Sequence, residues 1–310
     1  MQDPLFGNSS DQEPGQNASI LSDFLSRHEG NLPPALSAVG SAPYVEQTRA
    51  QQLSNISFIL DLALRYQLHV DFHLDYDLAP LNPSTPEPLI YSVIARLKEL
   101  NWSDRMPGKV ITIGHATRLS VFSPTQLHEL RQAIGNLSIH FVGLPQSDVY
   151  MMGRSDPQAR RGTLNVCKLR KEYDLNMALA VNNVGNAFTP QGTPDPLSLC
   201  PLGVPLYQNG TVEGCRILLV CLDQLRVHCF TKFVLKEGVT TASKRAIGEC
   251  NSKGMTSLLP VVGSRADFVV LHGNHNIWSA VLDPSYERTT VKAGRVVAWR
   301  KASQWHVLHR

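Results

Sequence analysis

The sequence predicts an α/β fold built on a parallel sheet. Three observations carry that expectation. Short apolar runs alternate with helical patterns along residues 35–181, and such alternation is the signature of parallel strands joined by crossover helices. The runs are near-continuous rather than alternating in polarity, as strands covered on both faces are. Each run then gives way to polar or glycine-rich residues, which is where ligands bind in parallel α/β folds.

Taken in order, residues 1–35 read as a polar lead-in with one short helix, where Ile20, Leu21, Phe24 and Leu25 fall at helical spacing. Five apolar runs follow, at 35–40, 69–74, 109–113, 138–144 and 176–181. Between the first two, Leu53, Ile56, Leu60 and Leu64 mark an amphipathic helix within 44–66. Residues 87–100 place Leu89, Val93, Ile94 and Leu97 on one face. Residues 123–134 open on Ser123-Pro124, a helix-start signal, and carry Leu127, Leu130 and Ile134. These make five βα units before residue 182. A helix over 212–225 comes next, then the poorly patterned stretch 227–243. The tail holds an apolar run at 268–271 and a strand pattern at 289–298 that turns around Gly294-Arg295.

Composition narrows the classes. The 310 residues are 43% hydrophobic and 18% charged, so a sizeable core can form and wholesale disorder is excluded. A net charge of +3 is too mild to point to nucleic acid or a membrane surface. The apolar run within 217–222 is far shorter than a bilayer span. No basic segment followed by an apolar stretch opens the chain, and the six cysteines lack CxxC spacing. A cytoplasmic protein with reduced thiols is the expectation.

The polar residues after each run are the candidate site. The second run closes in Asp71-Phe72-His73-Leu74-Asp75-Tyr76-Asp77, and the third in Gly114-His115-Ala116-Thr117-Arg118. The fourth closes in Gly143-Leu144-Pro145-Gln146-Ser147-Asp148, and the fifth in Asn182-Asn183-Val184-Gly185-Asn186. Histidines, carboxylates and carboxamides at successive strand ends converge in one mouth. The set suits a mononuclear metal site or its relic. His69 and His73 share a strand face but stand well apart. His272 and His275 lie in a Gly/Asn-rich loop and read as solvated, as does the basic cluster of Arg154, Arg160 and Arg161. No GxGxxG, phosphate-binding P-loop, GxSxG or HExxH occurs, nor the HxE…PCxxC signature of the zinc nucleobase deaminases.

In their order these segments resemble the cytosine deaminase branch of the amidohydrolase superfamily. Gly153-Arg154-Ser155-Asp156-Pro157-Gln158-Ala159-Arg160-Arg161-Gly162 is similar to the family's GRxDxxxxRRG segment after the seventh barrel strand, one residue shorter before the Arg pair. Residues 70–76 resemble the fifth-strand DxHxDE, and Gly114-His115-Ala116-Thr117 the sixth-strand SHTT. Residues 181–188 resemble the eighth-strand xDNVxDxF, and Ala266-Asp267-Phe268-Val269-Val270-Leu271 the closing ADLVVL. The likeness enters after the family's third strand. It implies an incomplete (β/α)8 TIM-type barrel, about strands four to eight, in a chain N-terminally truncated relative to the family. The barrel would occupy 36–226, with an insertion at 227–243 and a C-terminal helix and small β-rich tail over 244–310.

The resemblance also implies one divalent metal, Zn or Fe, whose bound hydroxide attacks a carbon–nitrogen centre of a small cyclic amide or nucleobase-like substrate. On that likeness His73 is a metal ligand, and His115 orients the water and stabilises charge. Gln2 stands where a glutamine reads the substrate. Asn183 is a polar neighbour of the substrate, and Phe188 is the aromatic cover of the pocket. Three departures matter. Tyr76 stands where the family has its general acid/base Glu, and a phenol titrating near pH 10 is a poor proton shuttle at neutral pH. Asn182 replaces the metal-binding Asp, and a neutral amide is a weaker ligand. No HxH pair occurs. Asp75 and Asp77 are the remaining carboxylates beside Tyr76. The expectation is an amidohydrolase-type protein with impaired or lost metal-dependent deamination. Two alternatives stay open. One is an active hydrolase with a rearranged site, completed by a second copy across the open barrel. The other is a non-catalytic binding protein.

Overall fold

A computed structural model describes residues 3–7, 13–30, 33, 36–79, 84–154, 156, 158–220, 233–235, 242, 245–248 and 266–303. Gln2 and most of the expected insertion at 227–243 lie outside the described residues. The chain divides into two compact units, residues 1–192 with 243–252 and residues 193–242 with 253–310.

The first unit is a parallel five-stranded sheet with its helices. The strands are β1 (Ala38–Ser41), β2 (His69–Leu74), β3 (Ile111–His115), β4 (Ile139–Gly143) and β5 (Met177–Leu179), in that spatial order. All five stand where the apolar runs put them. The helices are α1 (Gln16–Arg27), α2 (Arg49–Tyr66), α3 (Leu89–Glu99), α4 (Trp102–Arg105), α5 (Pro124–Ile134), α6 (Pro145–Met151) and α7 (Val166–Tyr173). Of these, α2, α3, α5 and α7 cross between successive strands and pack side by side. The helix expected from residue 44 begins at Arg49. Residues 43–45 close a 3-10 turn first, and Thr48 and Gln51 then form a reciprocal capping box. Ser123 and Gln126 form the same box at the start of α5, with Pro124 in the first turn.

The expectation of burial on both faces holds for β3 and β5 but not for β1, β2 and β4, whose burial alternates. The register explains this. Val70, Phe72 and Leu74 share a buried face with Ile111, Ile113, Ile139, Phe141, Met177 and Leu179. The opposite face carries His69, Asp71 and His73 beside Thr112, Gly114 and His140. At its lower end residues 245–248 lie against this polar face, where the Thr112 hydroxyl donates to the Ala246 carbonyl. Gly40 pairs with Asp71, and a Cβ at residue 40 would collide with the Asp71 carbonyl oxygen, so only glycine lets β1 approach β2 there.

The expected polar lead-in contains an anchored core segment. Leu5 and Phe6 are buried, and the buried Glu46 carboxylate accepts the backbone N–H of Leu5 at 2.7 Å and of Gly7 at 3.2 Å. The Asn55 amide donates to the same carboxylate at 2.7 Å. Trp102, the one tryptophan in the described part of this unit, is 2% exposed.

The second unit holds helices α8 (Leu199–Leu206), α9 (Val212–Val220) and α10 (Ile277–Leu282), packed on one another. The helix expected over 212–225 is described as far as Val220, and 221–225 lie outside the described residues. An antiparallel sheet runs in the order β6 (Phe233–Leu235), β7 (Phe268–Leu271), β8 (Arg288–Lys292) and β9 (Arg295–Arg300). The strand pattern expected over 289–298 is a hairpin of two strands. Ala293 and Gly294, at φ of 50° and 77°, make its turn. Asp195 pairs with both Arg288 and Arg300. Trp278 and Trp299 are 47% and 63% exposed. No helix among the described residues is long and apolar enough to cross a membrane.

Candidate active site

The ends of β2 and β3 bring His73 and His115 together. Their ring centroids are 5.0 Å apart in an edge-on arrangement. Gly114 pairs with His73 across the sheet and leaves room for the imidazole; a Cβ at residue 114 would stand 3.0 Å from Nε2. The chain leaves β3 through two consecutive left-handed residues, His115 at φ 64° and Ala116 at φ 43°. Non-glycine residues adopt this conformation at a cost of about 1–2 kcal/mol each, and such strain collects at functional sites. Packing and backbone bonds hold it: Ala116 N–H donates to the Leu74 carbonyl at 3.2 Å, and Arg118 N–H to the Asp75 carbonyl at 3.1 Å.

Aromatic rings extend the pair. Tyr76 lies 4.1 Å from the His115 ring, and Tyr44 lies 5.7 Å from Tyr76. A cavity of about 250 Å³ opens beside His73, lined also by Asp71 and residues 38–42. His73 Nδ1 is buried and has no hydrogen-bond partner among the described residues. Burial, and then the neighbouring His115, pull the His73 imidazole down to about 4, so the ring is neutral at pH 7. Asp71 keeps exposed surface, yet the desolvation imposed by the wall around it pushes its carboxyl above the ordinary range. Burial, then Asp148 and Tyr44, raise the Tyr76 phenol above its usual value, so it stays protonated at neutral pH.

The sequence left Asp148 without a role, and the structure puts it at the centre. One Asp148 carboxylate oxygen lies 2.7 Å from His115 Nδ1, and the other accepts the Thr163 hydroxyl at 2.6 Å. Asp148 is fully buried on α6, five residues beyond the end of β4. Its neighbour Ser147 accepts the Asn182 amide at 3.1 Å and donates to the Leu144 carbonyl. One turn of helix thus ties together the ends of β3 and β5. The sequence signal was present in Gln146-Ser147-Asp148, three polar residues behind a helix-opening proline, all buried.

The other expected residues are placed apart from this centre. Asp75 caps α3, accepting the N–H of Leu89 at 2.7 Å and of Ile90 at 2.9 Å. Burial, opposed by those two bonds and by Arg118, pushes Asp75 up to about 6. Asp77 pairs with Arg118 at 2.7 Å. Phe188 is exposed in the loop after β5, its N–H bonded to the Asn186 side chain, and no ring contact among the described residues joins it to Tyr76 or the histidines. Asn183 is half-buried in the same loop.

A catalytic metal needs about three protein ligands. Among the described residues no three His, Cys, Asp or Glu side chains come together as a metal would require. Asp75 spends both oxygens on α3, and the Asn182 amide donates to Ser147. His73 and His115 remain, with the Asp71 carboxyl in the same cavity wall, and among the described residues that donor set does not fit a catalytic ion. What these residues offer chemically is aromatic faces, a protonated phenol and imidazole nitrogens.

No protein-family model and no curated protein sequence matches the chain. Solved structures do. A 5-methylcytosine deaminase from Klebsiella pneumoniae, liganded with 5-fluorocytosine, superposes with a TM-score of 0.70 at 18% identity, over 95% of this chain and 62% of that one. An N-isopropylammelide isopropylaminohydrolase from Burkholderia multivorans gives 0.65 at 18% identity, over 96% of this chain and 62% of that one. An adenosine deaminase from Xanthomonas campestris with bound zinc gives 0.54 at 14% identity, over 95% and 59%. The chain therefore spans about 62% of the length of the first two solved structures. Over the part it spans, five parallel strands with flanking helices and a separate small antiparallel sheet, the chain carries the α/β-barrel fold of these deaminases and aminohydrolases.

Proposed function

We propose that this chain is an amidohydrolase of the cytosine deaminase type whose mouth binds a small cyclic amide or nucleobase-like molecule, with metal-dependent deamination impaired or lost. The observation that carries the reading is the state of the strand ends. Tyr76 stands against His115 where the resembling family has its proton-shuttling Glu, and burial keeps its phenol protonated. A phenol held that way donates a hydrogen bond but does not take up a proton at pH 7. Asn182, in the place of a metal-binding carboxylate, is a neutral amide turned to Ser147.

The remaining features support binding. Tyr76 and Tyr44 offer aromatic faces beside His115, and the cavity of about 250 Å³, lined by His73, Asp71 and residues 38–42, has room for a single small ring. His73 Nδ1, neutral and unpartnered among the described residues, is an acceptor or donor for a polar edge. The Klebsiella enzyme holds 5-fluorocytosine, a molecule of this class.

The test uses the purified chain. Elemental analysis, ammonia release from cytosine and calorimetric titration with cytosine are measured on one preparation. The expected result is sub-stoichiometric metal, no ammonia and saturable cytosine binding that survives chelation. Metal bound one to one together with turnover overturns the loss of catalysis, and absence of cytosine binding overturns the ligand class.

A further inference from the structure

We propose that Asp148 is the positioning residue of this mouth: it fixes His115 in the Nδ1–H tautomer and so leaves Nε2 as a hydrogen-bond acceptor beside His73 and Tyr76. The argument starts from the carboxylate. Asp148 is fully buried, and no Lys or Arg among the described residues pairs with it. A buried carboxylate in that position must be satisfied by hydrogen bonds. Two side-chain donors reach it, Thr163 at 2.6 Å on one oxygen and His115 Nδ1 at 2.7 Å on the other. The carboxylate has no proton to give, so the imidazole must supply one from Nδ1. In the neutral form of the ring that is its single N–H, and the second nitrogen is a lone pair; a 15N signature of the doubly protonated ring would overturn the acceptor role.

The scaffold makes this rigid. Asp148 is held by its own N–H, which donates to the Leu144 carbonyl at 3.0 Å, and α6 begins at Pro145 directly after β4. His115 is 4% exposed and sits in a left-handed conformation that its surroundings must enforce. The ring therefore has one orientation. An acceptor nitrogen next to a phenol that remains a donor reads a molecule presenting one N–H and one carbonyl oxygen, the polar edge of a cyclic amide. Asp148 itself touches no ligand. This part of the inference rests on the proposed ligand site, whereas the tautomer does not.

The tautomer is read directly from the imidazole nitrogen shifts of the unliganded, 15N-labelled chain, and cytosine affinity is read separately by calorimetry. Wild type is expected to show His115 as the Nδ1–H form. Asp148→Ala is expected to convert it to a mixture and to weaken cytosine binding at least about tenfold. Asp148→Asn, whose amide oxygen can still accept from Nδ1, is expected to restore both. Thr163→Val removes the outer bond alone and is expected to keep the tautomer. A wild-type His115 found in the Nε2–H form overturns the proposal without recourse to any variant. So does an unchanged tautomer in Asp148→Ala. Should wild type show the Nδ1–H form and yet bind no cytosine, the positioning role stands and the ligand reading falls.

Discussion

Three desolvated groups, the buried Asp75 and the part-buried His73 and His140, shape how this protein responds to acid. His73 and His140 are both pulled down to about 4, His140 by burial and then by Arg245 and Arg170. Each is neutral in the folded chain and takes up a proton on unfolding anywhere between about pH 4 and 6.5, so each contributes stability that is lost as pH falls through that window. Asp75, pushed up to about 6, acts in the opposite sense. It holds its proton in the fold and releases it on unfolding at pH values between its unfolded value near 4 and about 6. His69, lowered, and Asp71, raised, oppose each other in the same way. Two histidines against one carboxyl leave about one proton taken up on unfolding. Stability should then fall by about 1.4 kcal/mol per pH unit on acidification from pH 6 to 4.5. Denaturant titrations across that range check it. His140→Gln should flatten the slope, Asp75→Asn should steepen it, and a wild type indifferent to pH would sink the account. His73 and His115 were legible because histidines at successive strand ends are an unusual pattern. Asp148 was not, because its role depends on a helix turning back over the sheet. Asp75 was half legible: beside Tyr76 it reads as a spare carboxylate, and the tertiary structure adds the α3 amides it serves.

Among the elements, the β/α alternation was readable to within a few residues, since apolar periodicity reflects burial and burial decides what forms. Helix starts were readable where a capping pair was present, as at Ser123 and Gln126. The anchoring of residues 3–7 was not. Nothing local marks Glu46 as a buried acceptor for a segment some forty positions earlier in the chain. That contact makes a sharp prediction. Glu46→Ala leaves the N–H groups of Leu5 and Gly7 and the Asn55 amide without their acceptor and should cost about 3 kcal/mol or more. Glu46→Gln keeps one carbonyl oxygen and should cost markedly less. The denaturation midpoint gives the cost, and limited proteolysis shows where the chain opens; cleavage should move into the first 30 residues. Equal stability of Glu46→Ala and wild type would remove the clamp from the account.

For the whole molecule, the fold class could be read because strand and helix patterns alternate, and the small tail sheet because Gly294 marks its hairpin. Its division into units was harder to read: residues 245–248 lie against the first unit's sheet, far along the chain from the strands they meet. In the five-stranded sheet β1 and β5 each have a neighbour on one side only among the described strands. An uncovered strand edge recruits other strands. Light scattering tests whether these two are covered: a mass that rises with concentration would show them open, and a monodisperse monomer throughout the range would show them covered.

The three tryptophans among the described residues provide a built-in spectroscopic division of labour, with Trp305 outside them. Trp102 is sealed in the core of the first unit, whereas Trp278 and Trp299 face solvent in the second. An indole in an apolar core emits at shorter wavelength than a hydrated one and is shielded from a dissolved ionic quencher. Iodide should therefore silence the red part of the emission first and leave a blue component that belongs to the sheet carrying His73 and His115. Melting of that sheet can then be followed by its own colour, without a label.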